Sequence, residues 1–151
     1  MTKTEGFEDA SEKRGTVRLL RYWLALRRFG IAPAMRDFDP RRNPVPWENC
    51  FLITLAEPPG EAIFEHIGPA LWRALERPPV IPSETAEMPD FLRIHLADFD
   101  RVIASGEPTE HGGPYALPSG RSLLFRSILL PFSDMKRRAC YALGAVTMRA
   151  P

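Results

Sequence analysis

Apolar positions between residues 120 and 148 recur on both parities. Leu123, Phe125 and Leu129 fall on one, and Leu124, Ile128 and Leu130 on the other. Successive side chains of a strand point to opposite sides. GRSLLFRSILLPF and RRACYALGAVTM, joined at SDMK, therefore read as a long β-hairpin that is apolar on both faces. Such a hairpin needs cover above and below, and the rest of the chain has to supply both layers.

The first candidate layer is VRLLRYWLALRRFG. Thr16 is a candidate N-cap and Gly30 a stop, which predicts a helix over 16–30. Wound at about 100° per residue, its apolar side chains cover about two-thirds of the circumference, whereas one buried surface needs a stripe only a little over 100° wide. The excess predicts two contacts, one within the chain and one with a second copy. Leu19, Tyr22, Trp23, Leu26 and Phe29 are the candidate homodimer residues.

CFLITLA and AIFEHIG then read as antiparallel strands around the turn EPPGE, with Phe64 and His66 on one face of the second. Asp39-Pro40 predicts a short helical turn before them, and ALWRALE a short helix after them. A longer helix starts near Pro89 and stops at Gly106. Its stripe holds Phe91, Leu92, Leu96, Phe99, Val102 and Ile103, with His95 inside it. EPTEHGGPYALPSG is weakly strand-like. Residues 1–14 are polar and mixed in charge, so they read as a disordered tail ahead of one domain over 15–151.

Composition narrows the setting. At 151 residues and 44% hydrophobic, the chain can bury a core of its own. No apolar run reaches 18 residues, so no membrane helix is expected, and the N-terminus lacks the apolar stretch of a signal peptide. Cys50 and Cys140 both sit in apolar strand candidates, which fits free thiols in a reducing cytoplasm. Net charge is +1, but residues 13–42 carry nine basic and two acidic groups, and residues 43–110 four basic and twelve acidic. Basic and acidic segments attract each other within a fold. The arginines are read as a solvated face or a protein contact, and no nucleic-acid partner is expected.

His66, His95 and His111 are the only histidines, and no C-x-x-C or H-x-x-x-H spacing occurs, so no metal site is expected. His95 is read as a core histidine bonded to a backbone carbonyl. The alternative is a proximal haem ligand, since one histidine suffices to hold haem. His111, beside Gly112 and Gly113, reads as loop. There is no G-x-S-x-G, and Asp98 and Asp100 fall on different parts of their helix. A small cone-shaped α+β enzyme would need His66 or His95 within about 3 Å of a carboxylate; no catalytic residue is assigned. Cys140, Ala142 and Gly144 are small and share a parity. Facing the long helix, they would leave room for a small-molecule ligand among Phe64, His66, Phe91, His95 and Phe99. Facing the N-terminal helix, they would be covered by Trp23.

LLRYWLALRR, DFDP before the first strand, IASGEP after the long helix, and SLLFRSILLPFSD followed by LGAV carry a resemblance to PAS domains. More narrowly, the chain resembles a short single-PAS family common in alphaproteobacteria, over about residues 15–148. The resemblance implies an α+β fold: a five-stranded antiparallel sheet with helices on one face and an N-terminal helix, often at a dimer interface, on the other. It implies a non-catalytic sensory module acting by contact with another signalling protein. Lys136, Arg137 and Arg138 in the last turn, and the prolines at 78, 79, 82 and 89, depart from the family pattern.

Overall fold

A strand pair apolar on both sides is buried here between two helical layers. The structure, a computed structural model, describes residues 3–28, 32–56, 60–84, 87–134 and 139–151, with 3–14 as backbone alone. Helix α1 (Lys3–Leu26) leads through three short 3₁₀ turns to β1 (Cys50–Leu55) and β2 (Ala62–Ile67). Helices α2 (Pro69–Ala74) and α3 (Asp90–Ser105) follow, then β3 (Thr109–Ala116), β4 (Ser122–Ser133) and β5 (Ala139–Arg149). The strands form one antiparallel sheet in the order β2-β1-β5-β4-β3. The hairpin of residues 120–148 is thus β4 and β5, at the centre of the fold. Gly106, at φ 69°, supplies the left-handed residue that ends α3.

On one face α1 packs Leu19 and Trp23 against Cys50, Ile128, Leu130, Phe132, Leu143 and Ala145. The Trp23 indole N–H donates to the Pro131 carbonyl at 2.8 Å, fully buried. Its ring also lies under the Arg27 guanidinium, 5.1 Å away, and Arg27 reaches on to Glu107. On the other face α2 and α3 set Leu71, Leu75, Phe91, Leu92 and Phe99 on Phe51, Ile53, Phe125, Leu129, Ala142 and Val146.

Four expectations change. The helix begins at Lys3, not Thr16, and Thr16 is buried in mid-helix. Glu, Lys and Arg, all strong helix formers, recur through 3–14, so this segment continues the helix where a tail was expected. Gly15 does not break it: a Cβ there would sit 3.1 Å from Thr147 Cγ2, so it marks close approach of α1 to β5. Second, Leu19 and Trp23 have no exposed surface. The wide apolar arc is absorbed by the sheet and by Phe38, which touches the Tyr22 ring. Tyr22 also takes the Asp39 backbone N–H at 2.8 Å, and Leu26 is half-buried on the same cluster. Phe29 lies outside the described residues. Among the described side chains, α1 leaves Arg18, Arg21, Leu24 and Ala25 exposed, with Arg28 exposed just beyond its end.

The third and fourth changes come from bulges. Ile53 pairs with Phe64 and Leu52 with His66, leaving Glu65 as an extra residue in β2. An extra residue reverses the alternation, so Phe64 stays in the core under α3 while His66 turns away. Likewise Phe132 pairs with Tyr141 and Ser133 with Ala139, so Cys140 is the extra residue of β5 and is out of line with Ala142 and Gly144.

Candidate functional site between the long helix and the sheet

The α3 face of the sheet is largely apolar. In α3, His95 sits one turn from Phe91 and from Phe99 and shares their buried face. In β4, Ser127 lies between Phe125 and Leu129 in the alternation, and it too is buried. In β3, residues 109, 111, 113 and 115 are the less exposed set, and His111 stands directly opposite Ser127. Asp98 is three residues after His95, on the adjoining part of the helix.

These four side chains meet. His95 Nε2 lies 2.6 Å from Ser127 Oγ, in the buried interior. His111 Nε2 lies 2.7 Å from Asp98 Oδ2, and Asp98 Oδ1 takes a hydrogen bond from Arg101 at 3.1 Å. The two imidazoles are edge-to-face, with centroids 5.0 Å apart, and the Phe51 ring flanks His95 on another side at 5.3 Å. Burial drives the His95 pKa down to about 3; the neighbouring His111 adds to the shift and Asp98 opposes it. His95 is therefore neutral at pH 7 and has one ring N–H to give. His95 Nδ1 is buried without a hydrogen-bond partner, so placing that proton on Nε2, toward Ser127, avoids an orphaned donor.

Ala142 and Gly144 do face α3, but the space beside them is taken. A Cβ on Gly144 would fall 2.0 Å from Phe51 Cζ, with two further ring atoms at 2.2 and 2.3 Å. Phe51 in turn packs edge-on to Phe64, while Phe91 and Phe99 are buried above the sheet. The Phe51 ring thus fills the space beside Gly144, where a face turned to the long helix could have left room for a ligand. His66, expected in the same place, is instead stacked on Trp47, 5.4 Å away and 9° from parallel. Cys140 is half-buried at its bulge. Cys50 faces the α1 layer, with its thiol pushed up to about 11 by burial, partly offset by Asn43.

Haem does not fit these residues. His95 is hemmed in by Phe51 and His111, its Nε2 is engaged by Ser127, and a macrocycle would have to displace the Phe51 ring that fills the space over Gly144. Among the described residues, no carboxylate stands within about 3 Å of His66 or His95 as a small α+β enzyme would need; the carboxylate of Asp98 pairs with His111. Three of the four clustered residues escaped the sequence reading. Gly112 and Gly113 make His111 look like loop, although its parity with Thr109 and Tyr115 marks an inward strand position. Ser127 is a polar residue set between Phe125 and Leu129 in the alternation, which is the signal it offers. Asp98 finds its partner His111 across the fold, and its neighbour Asp100 in the sequence gives no sign of that.

Strand order β2-β1-β5-β4-β3, with α2 and α3 on one face and the N-terminal helix on the other, is the architecture of a PAS domain. Among solved structures, a fungal LOV-domain photoreceptor superimposes with a TM-score of 0.47 at 11% identity, over 87% of this chain and 88% of that one. A PAS domain from a two-component sensor histidine kinase gives 0.42 at 15% identity, over 66% and 85%. An RNA-binding light-oxygen-voltage receptor gives 0.45 at 16% identity, over 66% of this chain; the match spans 29% of that receptor's length. At TM-scores below 0.5 these likenesses carry nothing about ligands or partners. No protein-family model and no curated protein sequence matches the chain. Among the described residues, no helix is long and apolar enough to cross a membrane.

Proposed function

We propose that the chain is a non-catalytic, PAS-type sensory module that signals by protein–protein contact. In this reading the α3–sheet layer is the input and the exposed stripe of α1 is the output. The observation that carries it is the His95–Ser127 bond: a buried polar link across an otherwise apolar interface, with a ring nitrogen left unpartnered. A core built for stability alone would put an apolar residue at each position. Departures from local consistency concentrate where a fold does something other than hold together. A link of this kind gives α3 a discrete contact to make or break.

The output surface is basic. Arg18 and Arg21 stand with Leu24 and Ala25 on the exposed side of α1, and the exposed Arg28 follows just beyond the helix end, which suits a protein partner with an acidic face. Among the described side chains of that surface, Leu24 and Ala25 are the apolar ones a second copy could use, since Leu19 and Trp23 are spent within the chain. The test is affinity capture by the purified protein from extracts of its source cells, with Arg18→Glu/Arg21→Glu and Ser127→Ala variants alongside. A retained protein, lost with the α1 variant and changed in amount with Ser127→Ala, supports the reading. A specific partner held equally by all three forms would refute it.

A further inference from the structure

The fold joins three groups that chain spacing keeps apart. One ring nitrogen of His95, one of His111 and one carboxylate oxygen of Asp98 all lie within 4.8 Å of one another. Ligand atoms bound at about 2.1 Å to a tetrahedral ion stand about 3.4 Å apart. To reach that spacing the widest separation shortens by up to about 1.4 Å, and the 2.7 Å contact between His111 and Asp98 opens. We propose that His95, Asp98 and His111 form a binding site for a divalent transition-metal ion of the kind that prefers imidazole, such as Zn²⁺, Fe²⁺ or Co²⁺.

Further features beyond proximity point the same way. The donor set is two imidazoles and one carboxylate, the combination that suits these ions and not Ca²⁺ or Mg²⁺, which take oxygen ligands. His95 has no exposed surface, and one of its ring nitrogens has no hydrogen-bond partner. Ser127 holds the other nitrogen at 2.6 Å, as a supporting group outside a metal's own ligands holds a ligating histidine. Arg101 likewise holds Asp98 by Oδ1, while Oδ2 faces His111. Asp98 and His111 keep side-chain exposures of 17% and 30%, which leaves an entrance from solvent on their side. Three protein ligands also leave at least one position for water or a small molecule.

The site stands independently of the signalling reading, because it predicts binding whether or not the module has a partner. The experiment is titration of the untagged protein with Zn²⁺, then Co²⁺, by calorimetry and visible absorption. Asp98→Asn, His111→Gln and a His66→Gln control follow, each first checked for native circular dichroism. We expect one ion per chain, a raised thermal midpoint, shifted ring ¹⁵N signals for His95 and His111, and no comparable response to Mg²⁺. Asp98→Asn and His111→Gln should each weaken binding by tenfold or more, and His66→Gln should leave it unchanged. No stoichiometric binding at millimolar Zn²⁺ would overturn the proposal. So would binding that survives both ligand variants, or that disappears with His66→Gln.

Discussion

Replacing Gly144 with alanine tests whether Phe51 closes the space under α3. The added Cβ would lie 2.0–2.3 Å from three ring atoms, whereas carbon atoms rest about 3.5–4.0 Å apart. The ring must retreat by more than 1 Å. It has little freedom to do so: Phe51 is fully buried between Phe64 and His95. Overpacking a filled core costs about 1–3 kcal/mol, and a clash this deep belongs in the upper half, about 2–3 kcal/mol. For a chain of this length that is a fall in Tm of roughly 5–10 °C. The decisive measurement is a double-mutant cycle by urea denaturation. Phe51→Leu alone should destabilise by leaving a void, but it should also relieve Gly144→Ala. The double variant should then be at least about 1 kcal/mol more stable than the two separate losses predict. Additive losses, or a neutral Gly144→Ala, would refute the reasoning.

Other outcomes follow from the same contacts. Trp23→Phe removes the donor to the buried Pro131 carbonyl and should cost about 1–3 kcal/mol by denaturation. The folded pKa of His95 lies below the unfolded value of 6.5, so the unfolded chain takes up the proton first. The stability this residue contributes is complete above pH 6.5 and is lost as pH falls toward 3, by up to about 1.4 kcal/mol per pH unit. Unfolding free energies at pH 7, 6 and 5 should therefore fall more steeply for the native chain than for His95→Gln; parallel curves would contradict the burial argument. Glu107→Gln should leave the denaturation midpoint close to that of the native chain, because its partner Arg27 meets it at a solvent-exposed carboxylate where water and salt screen the pair.

Periodicity carried much of the architecture. The double-sided hairpin, the α3 stripe and the Asp39-Pro40 turn were legible because each is a local pattern with a local cause. Asp39 accepts the Arg41 backbone N–H at 3.0 Å, as an N-cap does. What was not legible depends on register. A bulge at Glu65 sends His66 out of the core, and a bulge at Cys140 takes that thiol out of line; one extra residue reverses a parity argument. The breadth of the α1 stripe suggested a second partner, because a sequence cannot show that Phe38 folds back against the helix. The cluster of His95, Asp98, His111 and Ser127 was hidden for the same reason: β3 and β4 bring positions 111 and 127 face to face across sixteen residues of chain.

The central claim is that the buried His95–Ser127 link and the exposed basic stripe of α1 belong to one signalling device. The most direct measurement is quantitative capture from source-cell extract by the native chain, by Ser127→Ala and by Arg18→Glu/Arg21→Glu, all shown to be folded. The account predicts a specific protein, present in near-stoichiometric amount on the native chain, lost when α1 reverses its charge and altered in amount when the buried link is cut. No protein retained above an unrelated control, or one retained equally by all three forms, would contradict it.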